Sequence, residues 1–110
     1  LWGTGSPMRE FLHVDDLGRA VVHALEKNLE EHMYNVGSGF DLTIQELSTL
    51  IKTIIGYKGE VVWDSTKPDG TPRKLLDNSR ISRTGWSSQI DLKEGIKKTY
   101  DWFLSSGLKF

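Results

Sequence analysis

The sequence predicts an α/β fold made of short strands and three to four helices. Patterns typical of strands and of helices alternate along the chain, its 110 residues are enough for one domain, and no internal repeat is present. The chain has no cysteine, which excludes disulfides, thiolate metal sites and a cysteine nucleophile. No apolar run approaches the roughly 18 residues that a membrane-spanning helix needs, so we expect no membrane segment.

The first elements are a strand, a helix and a second strand. Residues 9–14, REFLHV, are rich in strand formers. Residues 15–28 predict a helix with Asp15 or Asp16 as its N-cap. Its apolar residues at helical spacing are Leu17, Ala20, Val21, Ala24 and Leu25. Residues 32–39 predict a second short strand, which ends in glycines.

The clearest helix covers residues 43–56. Thr43 and Glu46 have the spacing of a capping box, and Gly56 stands where a left-handed C-terminal residue belongs. The apolar face of this helix consists of Ile44, Leu47, Ile51, Ile54 and Ile55. Residues 60–64, EVVWD, then predict a third strand.

Two helices complete the prediction. Residues 78–86 favour a short helix, and residues 91–107 favour a longer one with an apolar face. The predicted caps are Asp77 or Asn78 for the short helix and the pair Asp91 and Glu94 for the long one.

Motifs for catalysis or metal binding are scarce. The glycine turn of residues 3–8 lacks the third glycine of a dinucleotide fingerprint and precedes a strand, and no tyrosine is followed four residues later by lysine. His13, Asp15 and Asp16 could bind a metal, but a strand end followed by helix caps is favoured. His23 is interpreted as a helix-surface residue. The residues by themselves indicate no catalytic constellation.

The segment KPDGTPRK, residues 67–74, combines a stiff backbone with positive charge. A Pro-Asp-Gly turn and a second proline restrict the chain, so ordering this loop on a ligand costs little entropy. Lys67, Arg73 and Lys74 supply cations suited to phosphate oxygens. The alternative is a solvated surface loop, and the segment alone leaves both interpretations open.

A second segment, WGTGSPMRE at residues 2–10, has a similar make-up. Trp2 offers a flat face to a base or ribose, and Arg9 offers a second phosphate ligand; a core tryptophan with a surface arginine is the alternative. The net charge of −1 gives no overall field for nucleic acid, so an anion site must be local. We hypothesise that the two segments form opposite walls of one nucleotide-diphosphate site.

Three stretches resemble the C-terminal part of the GDP-L-fucose synthase family of extended short-chain dehydrogenases/reductases. They are WGTGSPMREFLHVDDLGRAVVHALE, NVGSGFDLTIQEL and GYKGEVVWDSTKPDGTPRKLLD, and the likeness covers essentially the whole chain. It implies that residues 1–110 are the GDP-sugar-binding portion and that an upstream Rossmann domain binds NADPH. Matched by position, Arg9 and Lys74 face the diphosphate, whereas Trp2 and Asp69 lie nearer the nucleoside.

The resemblance also implies what the chain lacks. The reductase Ser and Tyr-x-x-x-Lys, the epimerising Cys and His, and the NADP loop all lie upstream, so this portion should be inactive alone. We expect FLHV and MYNVG to pack on the missing domain, which agrees with a start at Leu1 in the middle of a pattern. The full enzyme is expected to be a cytoplasmic homodimer with no nucleic-acid or membrane partner. Another nucleotide-sugar epimerase or dehydratase and a non-catalytic phosphate-binding module remain alternatives.

Overall fold

This computed structural model describes residues 1–107, which contain four helices and three short strands. In chain order they are β1 (Met8–Glu10), α1 (Val14–Glu26), β2 (Asp41–Thr43), α2 (Ile44–Ile55), β3 (Arg73–Lys74), α3 (Ser79–Arg83) and α4 (Leu92–Ser105). The predicted α/β class with short strands is confirmed. None of the helices in this part of the chain is long and apolar enough to cross a membrane.

The sheet has the order β2-β1-β3, with β1 antiparallel to β2 and parallel to β3. The strand predicted at residues 32–39 is wrong. Side chains bind that backbone instead: Asn78 Nδ2 donates to the carbonyl oxygen of Gly37 (3.1 Å), and the Gly39 N–H donates to Oε1 of Glu10 (2.7 Å). The second strand is therefore β2, which overlaps the predicted helix of residues 43–56 only at Thr43.

The third strand also lies elsewhere than predicted. Residues 60–64 form only a single parallel bridge, in which Asp64 pairs with Trp2. Strand β3 instead lies inside the segment that the sequence predicts as a loop. It forms because the Met8 N–H donates to the carbonyl oxygen of Pro72 (2.8 Å), which aligns the next two residues with β1.

Helix α1 begins one residue earlier than predicted, and its cap is a different side chain. His13 is the N-cap, and its Nδ1 accepts a hydrogen bond from the Asp15 N–H (3.2 Å). The prediction of Asp15 or Asp16 as the cap is wrong, because both residues lie inside the first turn. Their negative charges there still stabilise the helix through its dipole. Asp16 points into the protein and is fully buried.

The caps of the later helices follow the sequence more closely. Thr43 and Glu46 form both halves of the capping box, and Gly56 adopts a left-handed conformation with φ 69°. At α4, Oδ1 of Asp91 accepts the Glu94 N–H (2.9 Å), but the Glu94 carboxylate pairs with Lys98 (2.8 Å) instead of returning to the cap. Only half of that predicted box therefore forms.

The core of the described chain is small. The buried apolar residues are Ala20, Ile81 and Trp86, and Leu12, Tyr34 and Val36 pack against them. These contacts place parts of FLHV and MYNVG on the chain's own core. His23 is half-buried, contrary to its surface interpretation, because its Nε2 lies 2.8 Å from the Thr84 hydroxyl beside α3.

Asp16 joins α1 to the segment that leads into α4. The backbone N–H groups of Gln89 and Ile90 donate to its carboxylate over 2.9 and 3.0 Å, and Arg19 forms an ion pair with it. Burial acts to raise the pKa of Asp16, but these three partners outweigh it and the pKa is lowered. The charged carboxylate thus connects α1 to the segment before α4 through hydrogen bonds.

The outer face of α1 carries an exposed apolar stripe. Val14, Leu17, Val21 and Leu25 recur at helical spacing and are 70%, 47%, 54% and 82% exposed. The radius of gyration is 16.6 Å, compared with about 13 Å for a compact domain of this length. The fold therefore leaves apolar surface that a chain of this size normally buries.

Candidate functional site

The two cation-bearing segments meet in the sheet, because β1 and β3 lie side by side. In this parallel pair Met8 is opposite Arg73 and Arg9 is opposite Lys74. Opposed residues of neighbouring strands project to the same face of a sheet, and the strands lie about 4.8 Å apart. Arg9 and Lys74 therefore share one face, and Arg73 projects from the other.

Arg9 is half-buried and also braces the loop. Its Nη1 donates to the carbonyl oxygens of Met8 (2.6 Å) and Thr71 (2.7 Å), while Nη2 lies against Gly70. Within residues 1–107, Nε and Nη2 make no hydrogen bond. Arg9 thus holds residues 70–71 in place and retains two donor nitrogens for an anion.

The neighbouring cations Arg73 and Lys74 have different surroundings. Arg73 donates from Nε and Nη2 to the two carboxylate oxygens of Asp41 over 2.6 and 3.2 Å. This pair lowers the pKa of Asp41 and raises the pKa of Arg73. Lys74 forms no ion pair with any residue of the described part of the chain and is exposed. The guanidinium of Arg73 is thus held by Asp41, whereas the Lys74 ammonium is available to bind an anion.

Trp2 lies at the edge of the same region. Its side chain is 76% exposed, and the Lys67 ammonium is 5.7 Å from the ring centroid, within the range of a cation–π contact. Backbone bonds hold this edge, since the Gly3 N–H donates to the carbonyl oxygen of Asp64 (2.9 Å). A flat aromatic face with a neighbouring cation suits a base or a ribose phosphate.

Asp69 joins the two segments directly. Its Oδ1 accepts the Thr4 N–H (2.8 Å), its Oδ2 accepts the Thr4 hydroxyl (2.7 Å), and the Ser6 hydroxyl lies 3.5 Å away. The hydroxyl and then the backbone N–H of Thr4 lower the pKa of Asp69, so the carboxylate is charged at neutral pH. Each of its oxygens therefore accepts a hydrogen bond within the protein.

The glycine turn fits closely around these contacts. Gly3 has φ 76°, and a Cβ atom there would collide with Oδ1 of Asp69. Gly5 has φ 78°, and a Cβ atom there would lie 2.6 Å from the Trp63 ring. Both positions favour glycine twice, through a left-handed backbone and through the lack of space. The turn thus shapes the wall beside Asp69.

Sequence reasoning did not identify Thr4, Ser6 or Glu10 as residues of this region. Glu10 accepts the Gly39 N–H (2.7 Å) and the Leu76 N–H (3.1 Å), and so fixes both flanks of the sheet. A Gly-rich turn with two hydroxyls is a weak signal for such bonds, and their partners are 65 and 66 residues distant in sequence. All four predicted residues, Trp2, Arg9, Asp69 and Lys74, lie on the two segments that these contacts join.

The chain is similar to several known proteins. Residues 1–37 match the NAD dependent epimerase/dehydratase family. A putative GDP-L-fucose synthase 2 from Arabidopsis thaliana is 52% identical over 106 residues, which is 96% of this chain and 32% of that protein. The GDP-L-fucose synthase of Escherichia coli K12 is 48% identical over 119 aligned residues, covering 100% of this chain and 37% of that protein.

The fold has close counterparts as well. A GDP-mannoheptose C4 reductase from Campylobacter jejuni, solved with NADP bound, superimposes with a TM-score of 0.81 and 37% identity over 94% of this chain and 34% of that one. The chain thus spans about a third of the length of its relatives. In sequence and in fold the chain resembles a portion of the extended short-chain dehydrogenases/reductases. Within that class the predicted resemblance to the GDP-L-fucose synthases is confirmed.

Proposed function

We propose that this chain is the C-terminal, GDP-sugar-binding portion of a GDP-L-fucose synthase. The whole enzyme converts GDP-4-keto-6-deoxy-D-mannose to GDP-L-fucose by epimerisation at C3 and C5 and NADPH-dependent reduction at C4. Arg9 and Lys74 bind the diphosphate, and Trp2 packs against the nucleoside. Anchoring GDP uses binding energy remote from the reaction to orient the keto sugar, which is the contribution of this portion to catalysis.

One observation carries the proposal: the paired positions of Arg9 and Lys74 on one face of the sheet. A diphosphate spreads its charge over several oxygens, and two cations from adjacent strands can contact it together. Lys74 has no ion-pair partner in residues 1–107, and Arg9 retains two nitrogens. The names of the close relatives, which are GDP-L-fucose synthases, support the same ligand class.

NADPH is proposed to bind the upstream portion of the enzyme, because the described residues do not fit a dinucleotide site. Such a site places pyrophosphate at the N-terminus of a helix that follows a glycine turn. The turn at residues 3–7 leads into β1, and Gly3 and Gly5 are packed against Asp69 and Trp63. The hydride donor and the catalytic side chains are therefore assigned to the upstream portion.

The exposed stripe of α1 is the surface on which we place that upstream portion. Val14, Leu17, Val21 and Leu25 are apolar and exposed, and the relatives are about three times longer than this chain. We expect the isolated 110-residue chain to unfold in a broad transition at low temperature, because its own core is small. Calorimetry on the isolated chain and on the full-length protein tests this. A sharp cooperative transition of the isolated chain would contradict it.

Ligand preference tests the function itself. In isothermal titrations of the full-length protein, GDP should bind at least about tenfold more tightly than UDP, a difference of about 1.4 kcal/mol. NADPH should be oxidised when GDP-4-keto-6-deoxy-D-mannose is added. Tighter binding of UDP, together with no oxidation of NADPH, would favour a different nucleotide-sugar enzyme.

A further inference from the structure

We propose that Glu10 is a positioning residue for the diphosphate site, because its carboxylate ends strand β3 at Lys74 and so determines where the Lys74 ammonium lies. This inference rests on the proposed function, since it concerns the same diphosphate. Glu10 follows Arg9 in β1, and consecutive residues of a strand project to opposite faces. The Glu10 side chain therefore projects away from the face that Arg9 and Lys74 share, and it acts on the ligand through the backbone that it holds.

The carboxylate replaces the sheet hydrogen bonds at the point where β3 ends. Strand β3 contains only Arg73 and Lys74, and a continued parallel pairing would direct the N–H of Leu76 to a backbone carbonyl oxygen of β1. That N–H instead donates to Oε2 of Glu10 over 3.1 Å. The side chain thus binds the residue two positions after Lys74, where the backbone leaves the sheet, and Lys74 becomes the last residue of its strand.

The second oxygen of Glu10 holds the other outer strand. Oε1 accepts the N–H of Gly39 over 2.7 Å, two residues before β2 begins. Gly37, in the same turn, is buried, and a Cβ atom there would collide with the Glu10 carboxylate, whose atoms are the three nearest. Because this turn encloses the carboxylate and keeps it in place, the carboxylate can in turn keep Leu76 in place.

This anchor affects affinity because the Lys74 side chain is otherwise lightly restrained. Lys74 is exposed, forms no ion pair within residues 1–107, and belongs to a strand of two residues. A flexible side chain on a fixed backbone loses less entropy on binding a ligand than one on a mobile backbone. Glu10 therefore raises the affinity for a diphosphate that it does not contact.

Glutamine at position 10 separates positioning from electrostatics, because the two effects have opposite signs. Glu10→Gln removes a negative charge beside the site, which by itself would favour an anionic ligand. It also replaces one acceptor oxygen with an NH2 group, which cannot accept the N–H of Gly39 or Leu76. In calorimetric titrations of the full-length protein with GDP, we expect this variant to bind about three- to tenfold more weakly. Unchanged or tighter GDP binding would overturn the proposal.

Gly37→Ala tests the same contact while keeping the charge of Glu10. Gly37 does not have a positive φ, so alanine suits its backbone, but the added methyl group displaces the carboxylate. GDP binding should weaken about two- to tenfold. In the double variant with Glu10→Ala the loss should equal that of Glu10→Ala alone, because the colliding group is absent. Wild-type affinity in Gly37→Ala, or losses that multiply, would contradict the proposal, and this variant serves if Glu10→Ala does not fold.

Asp91→Ala is the control for a role in stability alone. Asp91 caps α4 by accepting the N–H of Glu94 (2.9 Å), and it lies outside both cationic segments. Thermal melts should show a lower transition temperature for Asp91→Ala as well as for Glu10→Gln, whereas GDP affinity should fall only in Glu10→Gln. An equal loss of GDP affinity in the two variants would mean that general stability limits binding, and the positioning role would be rejected.

Lys74→Gln distinguishes this proposal from the proposed function. If Lys74→Gln leaves GDP affinity unchanged, the diphosphate site is misassigned and both proposals fail. If Lys74→Gln weakens binding, adding Glu10→Gln should cost less than about twofold more, because Glu10 acts through Lys74. A full additional loss in the double variant, or no loss in Glu10→Gln alone, would remove only the positioning role.

Discussion

Replacing Lys74 with glutamine should weaken GDP binding by the full-length protein about 10- to 100-fold. Lys74 has no ion-pair partner among residues 1–107 and shares a sheet face with Arg9. On our proposal it contributes a charge-assisted hydrogen bond to the diphosphate, worth about 1.5–3 kcal/mol. Glutamine removes the charge and keeps a polar side chain that is one atom shorter than that of lysine. The loss should shrink as salt concentration rises, because an exposed charge is screened.

Arg73→Gln is the matched control for this variant. It removes one positive charge from the adjacent residue, but Arg73 projects to the opposite face and is bound to Asp41. GDP affinity should change by less than about twofold, and the glutamine amide can still donate to Asp41. Equal losses in Lys74→Gln and Arg73→Gln would show that only the overall charge matters, and would contradict a specific diphosphate contact.

Arg9→Gln is a less selective test of the same site. Its Nη1 bonds to the carbonyl oxygens of Met8 and Thr71 support the loop, so removing the guanidinium disturbs binding and local structure together. Lys74 is therefore the more informative position for mutation, although the sequence analysis predicts both residues as diphosphate ligands.

Local chemistry explains which elements the sequence could predict. Helix α2 starts at the capping box of Thr43 and Glu46 and ends at the left-handed Gly56. Both signals involve residues at most four positions apart, so the sequence predicts the start and the end of this helix. The same reasoning misplaced the cap of α1, because a histidine acceptor takes the role that usually belongs to a carboxylate or hydroxyl.

The site depends on contacts that are distant in sequence, and these were only partly predictable. Composition identified two cationic segments, but the prolines near β3 argued for a loop and concealed its pairing with β1. Without that strand, composition alone could not separate Lys74 from Arg73, since alternation between faces applies only to a strand. The choice of Lys74 came from the family resemblance. Likewise, Thr4 and Asp69 are 65 residues apart, and only the folded chain shows their contact.

Substituting alanine for Asp16 should lower the free energy of unfolding of the full-length protein by about 3–5 kcal/mol, a large share of the stability of a typical domain. The side chain is fully buried and accepts two backbone hydrogen bonds, from Gln89 and Ile90, besides its ion pair with Arg19. Alanine would leave two N–H groups without acceptors and open a void between α1 and the start of α4. Denaturation with urea measures the loss.

Asp15→Ala provides the control, because Asp15 is the exposed neighbour in the same helical turn. This substitution should lower the free energy of unfolding by less than about 1 kcal/mol. The pKa of Asp16 is lowered in the folded protein, so its stabilisation is complete above the unfolded-state value of about 3.9 and is lost as pH falls through the folded-state pKa. The difference in the free energy of unfolding between wild type and Asp16→Ala should therefore become smaller as the pH falls into the acid range. Parallel curves down to the lowest pH at which both fold would mean that the charge of Asp16 is not what joins these two parts of the fold.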